Sequence, residues 1–145
     1  MIQIAREIEV GRPPDEVFER ITKIEDLPRW QPAIVEAEVT SDGPLDLGST
    51  LRLVVAAGGR RTEAIDRVTE FQRPERLAVE ASAGPADLAA RITVGGADGG
   101  RSIVGLETAI RLGGFLSFAE GMIRGRIEAE APAAADAVKE WLEGE

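Results

Sequence analysis

Residues 103–142 read IVGLETAIRLGGFLSFAEGMIRGRIEAEAPAAADAVKEWL, and within them the chain changes its period. Val104, Leu106, Thr108 and Ile110 alternate with Gly105, Glu107 and Ala109, the period of two that gives a strand one covered face. After Gly113-Gly114 the spacing becomes three or four. Leu116, Ala119, Ile123, Ile127, Ala131, Ala135, Val138 and Leu142 then fall on one side of a helix. Arg124, Arg126, Glu128, Glu130 and Glu140 fall mostly elsewhere on the wheel, and Glu120 with Arg124 makes a favourable i,i+4 pair. Pro132 lacks an N–H and crowds the preceding turn, so a kink or a split is expected near Glu128. The apolar side of the helix and the dry face of the strand each need a partner, and each is the obvious partner of the other.

Upstream the pattern is almost entirely strands. Residues 35–40, 51–55, 60–71, 77–81, 88–94 and 104–110 are expected to be extended, separated by turn signals at Ser41-Asp42-Gly43-Pro44, Gly58-Gly59, Arg73-Pro74-Glu75 and Gly84-Pro85. Gly95 to Gly100 reads as a flexible hairpin loop. No helix follows it, which excludes a phosphate cradle. Six consecutive strands on short turns must pair antiparallel, because parallel pairing needs long crossovers. At the start of the chain Ile2, Ile4, Ile8 and Val10 mark another half-wet strand, ended by Gly11-Arg12-Pro13-Pro14. Pro14-Asp15-Glu16 opens a short helix with Val17, Phe18 and Ile21 on its apolar side, and a second covers Ile24 to Trp30. The expected fold is α+β. A curved seven-stranded antiparallel sheet wraps around a long C-terminal helix, with two short helices between strands 1 and 2.

Composition narrows the chemistry. At 145 residues, 43% hydrophobic and 30% charged, the chain suits one globular domain over residues 1–145, with no internal repeat or inter-domain linker. A net charge of −9 opposes a nucleic-acid partner. No apolar run is long enough to cross a bilayer, and the first residues do not read as a secretory signal, so a cytoplasmic address without membrane insertion is expected. There is no His, Cys or Tyr, which excludes Ser-His-Asp and Cys-His sites and leaves Asp, Glu, Arg, Ser, Thr, Lys or bound water for any catalysis. No metal or other cofactor is expected.

Several local signatures in this order carry a family resemblance. They are Pro13-Pro14-Asp15-Glu16-Val17-Phe18, Leu27-Pro28-Arg29-Trp30-Gln31-Pro32, Gly48-Ser49-Thr50-Leu51, the stretch from Val68 to Leu77, and the closing helix. Together they resemble the START-like helix-grip superfamily (SRPBCC), specifically its bacterial polyketide cyclase/dehydrase and lipid-transport branch, over nearly the whole chain. The resemblance implies a deep cavity between sheet and helix for a small hydrophobic molecule such as a lipid, sterol, quinone or polyketide. Cyclases of that branch usually use polar cavity residues that include His or Tyr. Both are absent here, and no catalytic motif carries over residue by residue.

Alternation nominates the residues of that cavity. Leu53, Val55, Val79, Ala81, Ile92, Leu106 and Thr108 are expected to point inward, with Ala64 and Asp66 joining them if strand 60–71 turns that way. The helix would add Phe115, Phe118, Met122 and Ile123, and Trp30 and Ile34 would sit near one mouth. The ordinary alternative is a packed core. Aromatics are only 4% of the chain and alanines are plentiful along the strands, so a wide sheet is left with volume that side chains do not fill. Asp66 and Thr108 are the polar candidates for catalysis. For Asp66 the more ordinary expectation is the convex face, paired with Arg67 or Arg52. Trp141 is expected to pack on the end of the sheet, and Gly113-Gly114 to act as a hinge at the entrance. A carrier or sensor of an apolar molecule, monomeric or homodimeric, is the leading reading. A cyclase or dehydratase using Asp66, Thr108 or an inward Arg, and a protein-interaction module of the quinone-pathway or ribosome-associated type, are the alternatives.

Overall fold

The computed structural model describes every position except 58, 84, 85 and 145, together with all side chains but those of residues 57, 83, 115 and 116. The turns expected at Gly58-Gly59 and Gly84-Pro85 therefore lie wholly or partly outside the described residues. Seven strands form one antiparallel sheet: β1 (Ile2–Val10), β2 (Ile34–Val39), β3 (Thr50–Ala57), β4 (Arg60–Gln72), β5 (Arg76–Ala83), β6 (Ala86–Ala97) and β7 (Arg101–Leu112). Their order is β1-β7-β6-β5-β4-β3-β2. The two strands that come first in the chain thus stand at opposite edges. The segment between them, α1 (Pro14–Ile21), a 3-10 turn at Ile24–Asp26 and α2 (Leu27–Trp30), spans the sheet's width. Register shifts between Ile34 and Glu36 and between Val68 and Glu70 bend β2 and β4 and help the sheet curl.

α1 begins with a proline whose missing N–H costs nothing in the first turn, and Asp15 and Glu16 complement the helix dipole there. Its Val17, Phe18 and Ile21 are fully buried. α3 (Glu120–Glu143) follows a 3-10 stretch at Gly114–Ala119 and runs beside β1 from end to end. At its start, Glu120 holds the N-terminal amino group and Arg124 donates to the Met1 carbonyl at 2.7 Å. At its finish, Lys139 donates to the Glu9 carbonyl and the Gly11 N–H donates to Glu143 at 2.8 Å. The expected split at Pro132 does not occur. The proline is exposed and α3 continues through it as one element. Because its side faces solvent, the carbonyl it leaves unpaired stays within reach of water.

The last turn of α3 is fastened by two arginines. Arg20 donates to the carbonyls of Trp141, Leu142 and Gly144 at 2.7–3.1 Å, and Arg12 donates to that of Glu143 at 2.9 Å. These are carbonyls that no helix can satisfy internally, and the cationic guanidinium also suits the negative end of the dipole. Arg20 lies over the ring of Trp141, 4.9 Å from its centroid, and Trp141 is half-buried against the core. Gly95 and Gly96 belong to β6 rather than to a loop. Only Asp98–Gly100 turns, with Gly99 and Gly100 at φ +73°, a conformation that favours glycine.

Candidate functional site

Residues opposite one another in register share a face, so the pairings assign the sheet's two sides. One side carries the row Ile4, Thr108, Ala90, Val79 and Val68, and the next row carries Ile2, Ile110, Leu88, Ala81, Asp66 and Leu51. This is the concave side, since Val10, Val94 and Val104 of the same face pack with the buried residues of α1 and α3. Packing along it is uneven. At the Val10 end everything is closed: Val104, Val94, Leu77, Val138 and Leu142 are buried. Toward the other end the same face loosens on β5, β6, β7 and α3, while Ile2 of β1, Asp66 and Ala64 of β4 and Leu51 of β3 stay buried. Ile92, Ala90 and Leu88 of β6, Leu106, Thr108 and Ile110 of β7, Val79 and Ala81 of β5, and Ile127 and Ile123 of α3 are only half-buried.

The residues read from sequence divide across this gradient. Val79, Ala81, Ile92, Leu106 and Thr108 share the half-buried face of β5, β6 and β7, with Val79, Ile92 and Leu106 packed against the buried cluster, and Ile123 is half-buried on α3. Leu53 and Ala64 are buried on the β3–β4 flank, with Val55 and Ile34 half-buried beyond them. Trp30 is not at a mouth. It is buried in the same packed cluster as Leu51 and Leu53. Phe118 and Met122 are not inside either: they are 84% and 76% exposed. The helical period explains why. Ile123 and Ile127 are the half-buried side of α3, so Met122 is turned about 100° from Ile123 toward solvent, and Phe118 belongs to the 3-10 stretch before α3, outside that helical face. The side chain of Phe115 is outside the described residues. Ile4 belongs to the half-buried face although the sequence reading did not nominate it. Its alternation with Ile2 and Ile8 carried the signal.

Asp66 overturns the more ordinary expectation. It faces the concave side between Leu51 and Ala81 and is only 2% exposed, whereas Arg52 and Arg67 belong to the opposite face. Arg52 is occupied there by Glu36, Glu38 and Glu63. Among the described residues nothing donates to the Asp66 carboxylate, and its Oδ1 is buried without a partner. Burial disfavours the charged form and pushes its pKa up to about 6. The indole Nε1 of Trp30 is the other unpartnered buried polar atom on this side of the sheet. Asp66 and Thr108 are not neighbours. β5 and β6 separate their strands, so at ~4.8 Å per strand they stand about 14 Å apart along the sheet. One bond of a small substrate is out of reach of both.

The convex face holds two open troughs of about 510 and 620 Å³. Their floor is alanine, with Ala89 common to both, and their rims carry charge, including Arg91, Glu107, Arg67 and Asp87. No second layer covers them among the described residues. No group of three or more potential metal ligands occurs among those residues, and no helix is long and apolar enough to cross a membrane.

This geometry has close structural parallels. A START superfamily protein from Mycobacterium smegmatis superposes with a TM-score of 0.80 at 14% identity, over 97% of each chain. The Zhui aromatase/cyclase from Streptomyces sp. R1128 gives 0.77 at 18% identity, over 97% of this chain and 93% of that one. TTHA0849 from Thermus thermophilus gives 0.76 at 14% identity, over 97% of this chain and 96% of that one. At such identities the likeness is one of fold, here the START-like helix-grip fold. Comparison with curated proteins gave no sequence match. The family model described as polyketide cyclase / dehydrase and lipid transport matches residues 1–143, and the chain belongs to that family.

Proposed function

We propose that this protein binds a small hydrophobic molecule, as a carrier or sensor, in the space between the concave face of the sheet and the N-terminal half of α3. The observation that supports this is the packing gradient. Strands β5, β6 and β7 and helix α3 are buried at one end and half-buried at the other, along faces that are mostly apolar, with Thr108 and Ser102 of β7 the polar exceptions on the strands. A protein interior normally packs at crystal-like density, and apolar surface left half-bare under a helix is costly unless something occupies it. A guest burying about 300 Å² of apolar surface would release roughly 7 kcal/mol at ~25 cal/mol per Å². With no association cost this would correspond to a Kd of about 10 μM, and association costs of several kcal/mol weaken it toward the millimolar range unless the guest buries more surface. The alanine troughs on the convex face are weaker candidates, because a guest there would be covered on one side only.

Catalysis of a cyclase or dehydratase kind has less support. Its candidates Asp66 and Thr108 stand strands apart, and Arg6, the charged residue of β1 whose register faces inward, is exposed and further still from Asp66. Native mass spectrometry of protein purified from its own host tests the binding reading. The expected result is a co-purifying apolar molecule that departs on denaturation. If none is carried and the neutral dye N-phenyl-1-naphthylamine does not bind, the reading is wrong.

A further inference from the structure

Phe118 and Met122 are the two most exposed large apolar side chains among the described residues. They lie four residues apart, where the 3-10 stretch at Gly114–Ala119 passes into α3. Apolar residues scattered singly over a surface need no explanation, but the two barest ones sharing one turn do. Charge divides along the same element. Residues 111–127 carry Arg111, Arg124 and Arg126 against Glu120 alone, and Glu120 is occupied by the N-terminal ammonium. Residues 128–143 carry Glu128, Glu130, Asp136, Glu140 and Glu143 against Lys139. The entry into α3 is thus a cationic and apolar patch on a chain of net charge −9. Arg126 stands one turn beyond Met122 on the same ridge, exposed, and meets Glu130 only at 3.9 Å. Arg111 is exposed too, and it lines the same trough as Met1, at this end of the molecule.

We propose that this patch docks the protein reversibly on an anionic lipid surface: Phe118 and Met122 enter the boundary between headgroups and acyl chains, and Arg111 and Arg126 meet the lipid phosphates. The docking stands on the patch itself. Its use, passing an apolar guest between the bilayer and the half-buried side of the same turns at Ile123 and Ile127, rests on the proposed binding. The overall negative charge does not forbid it, because fields beyond a Debye length of about 8 Å are screened and the groups nearest the surface decide. The acidic remainder of α3 is repelled, so contact is confined to its first turns. A protein partner fits less well. A stable interface takes roughly 800 Å² from each side, and Glu128 and Glu130 follow the patch at once. A bilayer needs only a few inserted side chains and local positive charge.

Co-sedimentation tests it, with vesicles of phosphatidylcholine alone and of phosphatidylcholine with about a third phosphatidylglycerol. The protein is expected to bind the anionic vesicles about fivefold more strongly or better, the factor that roughly one arginine supplies. Phe118→Ser with Met122→Ser should weaken that binding about tenfold or more. Arg111→Gln with Arg126→Gln should remove the preference for anionic vesicles, and Phe118→Trp should shift its emission to the blue when they are added. All of these side chains are exposed, so N-phenyl-1-naphthylamine is expected to bind the serine variant as it binds wild type. Absence of binding to either vesicle, or equal binding by the serine variant, overturns the inference, and dye binding then leaves the apolar site standing. Vesicle binding without dye binding keeps the docking and removes its use. A homodimer that the serine variant splits overturns the inference in favour of a second copy of this chain.

Discussion

Ala89 and Ala90 are consecutive residues of β6 on opposite faces of one sheet, and both are half-buried. Ala90 faces the half-open concave side, while Ala89 floors both convex troughs. Phenylalanine at each position therefore asks which side is empty and which side binds. A buried phenylalanine covers at least about 150 Å². If it took about 100 Å² of a guest's 300 Å² contact, the loss would be about 2.5 kcal/mol, or roughly 70-fold in Kd. Ala90→Phe is expected to weaken binding of N-phenyl-1-naphthylamine by about that factor, with Ala89→Phe near wild type. Stability reports independently. A ring entering unfilled apolar space raises the unfolding free energy measured in urea by about 1–2 kcal/mol after side-chain entropy is subtracted. The same ring forced into a packed core lowers stability by about 1–3 kcal/mol. Destabilisation by Ala90→Phe would show that the concave side is already filled. Loss of dye binding in Ala89→Phe alone would move the site to the convex face.

Two further predictions concern single residues. The carboxyl of Asp66 is raised to about 6 in the folded protein against about 3.9 unfolded, so the native state holds its proton more tightly. Its penalty is absent below about pH 4, develops as pH rises to about 6 and is constant above. At ~1.36 kcal/mol per pKa unit it reaches about 2–3 kcal/mol. Asp66→Asn should therefore gain on wild type by about that much between pH 4 and pH 7 in urea unfolding, and a pH-independent difference would show that burial does not raise this pKa. Arg20→Ala removes three donors from the carbonyls that end α3 and should cost about 2 kcal/mol, with Arg20→Lys intermediate because one ammonium cannot reproduce the fork. A urea midpoint equal to wild type in Arg20→Ala would mean that water serves those carbonyls equally well.

Sheet and helix were legible because each advertises its partner through period alone. The alternation in β7 and the three-four spacing in α3 placed Val104, Val138 and Leu142 in the core correctly, and all three are buried. The face of β4 was harder. Glu63, Asp66, Arg67 and Glu70 distribute charge over both sides, and only the register against Leu51 and Leu53 decides it. Phe118 and Met122 misled for a different reason. Large apolar residues next to an apolar stripe look like part of it, yet a single residue step turns a helical side chain by about 100°. The convex troughs had no sequence signature, since alanines on a strand read equally as filler for either face. The arginine caps were also hidden. Arg12 and Arg20 are more than 120 residues from the carbonyls they hold, and nothing local distinguishes them from surface charge.

The arrangement of fastenings and openings suggests why one end can stay loose. Arg12, Arg20, Lys139 and the Gly11 N–H all anchor the last turns of α3, beside the fully buried Val138, Leu142, Val10 and Phe18. At the other end of the helix the polar contacts to the start of the chain, among the described residues, are those of Met1 with Glu120 and Arg124, beside the buried Ile2. Both of those contacts are exposed and contribute little in water. Folding stability is thus concentrated where packing is complete, and the half-bare apolar rows lie where the restraint on α3 is weakest. On the proposed binding reading, a guest would enter by displacing the first turns of α3 while its fastened last turns stay in place. Amide exchange should be slow near Val138 and Leu142 and faster through residues 120–127, and an apolar ligand should slow it selectively in the second group. Uniform protection along α3, with and without ligand, would contradict a helix held at one end.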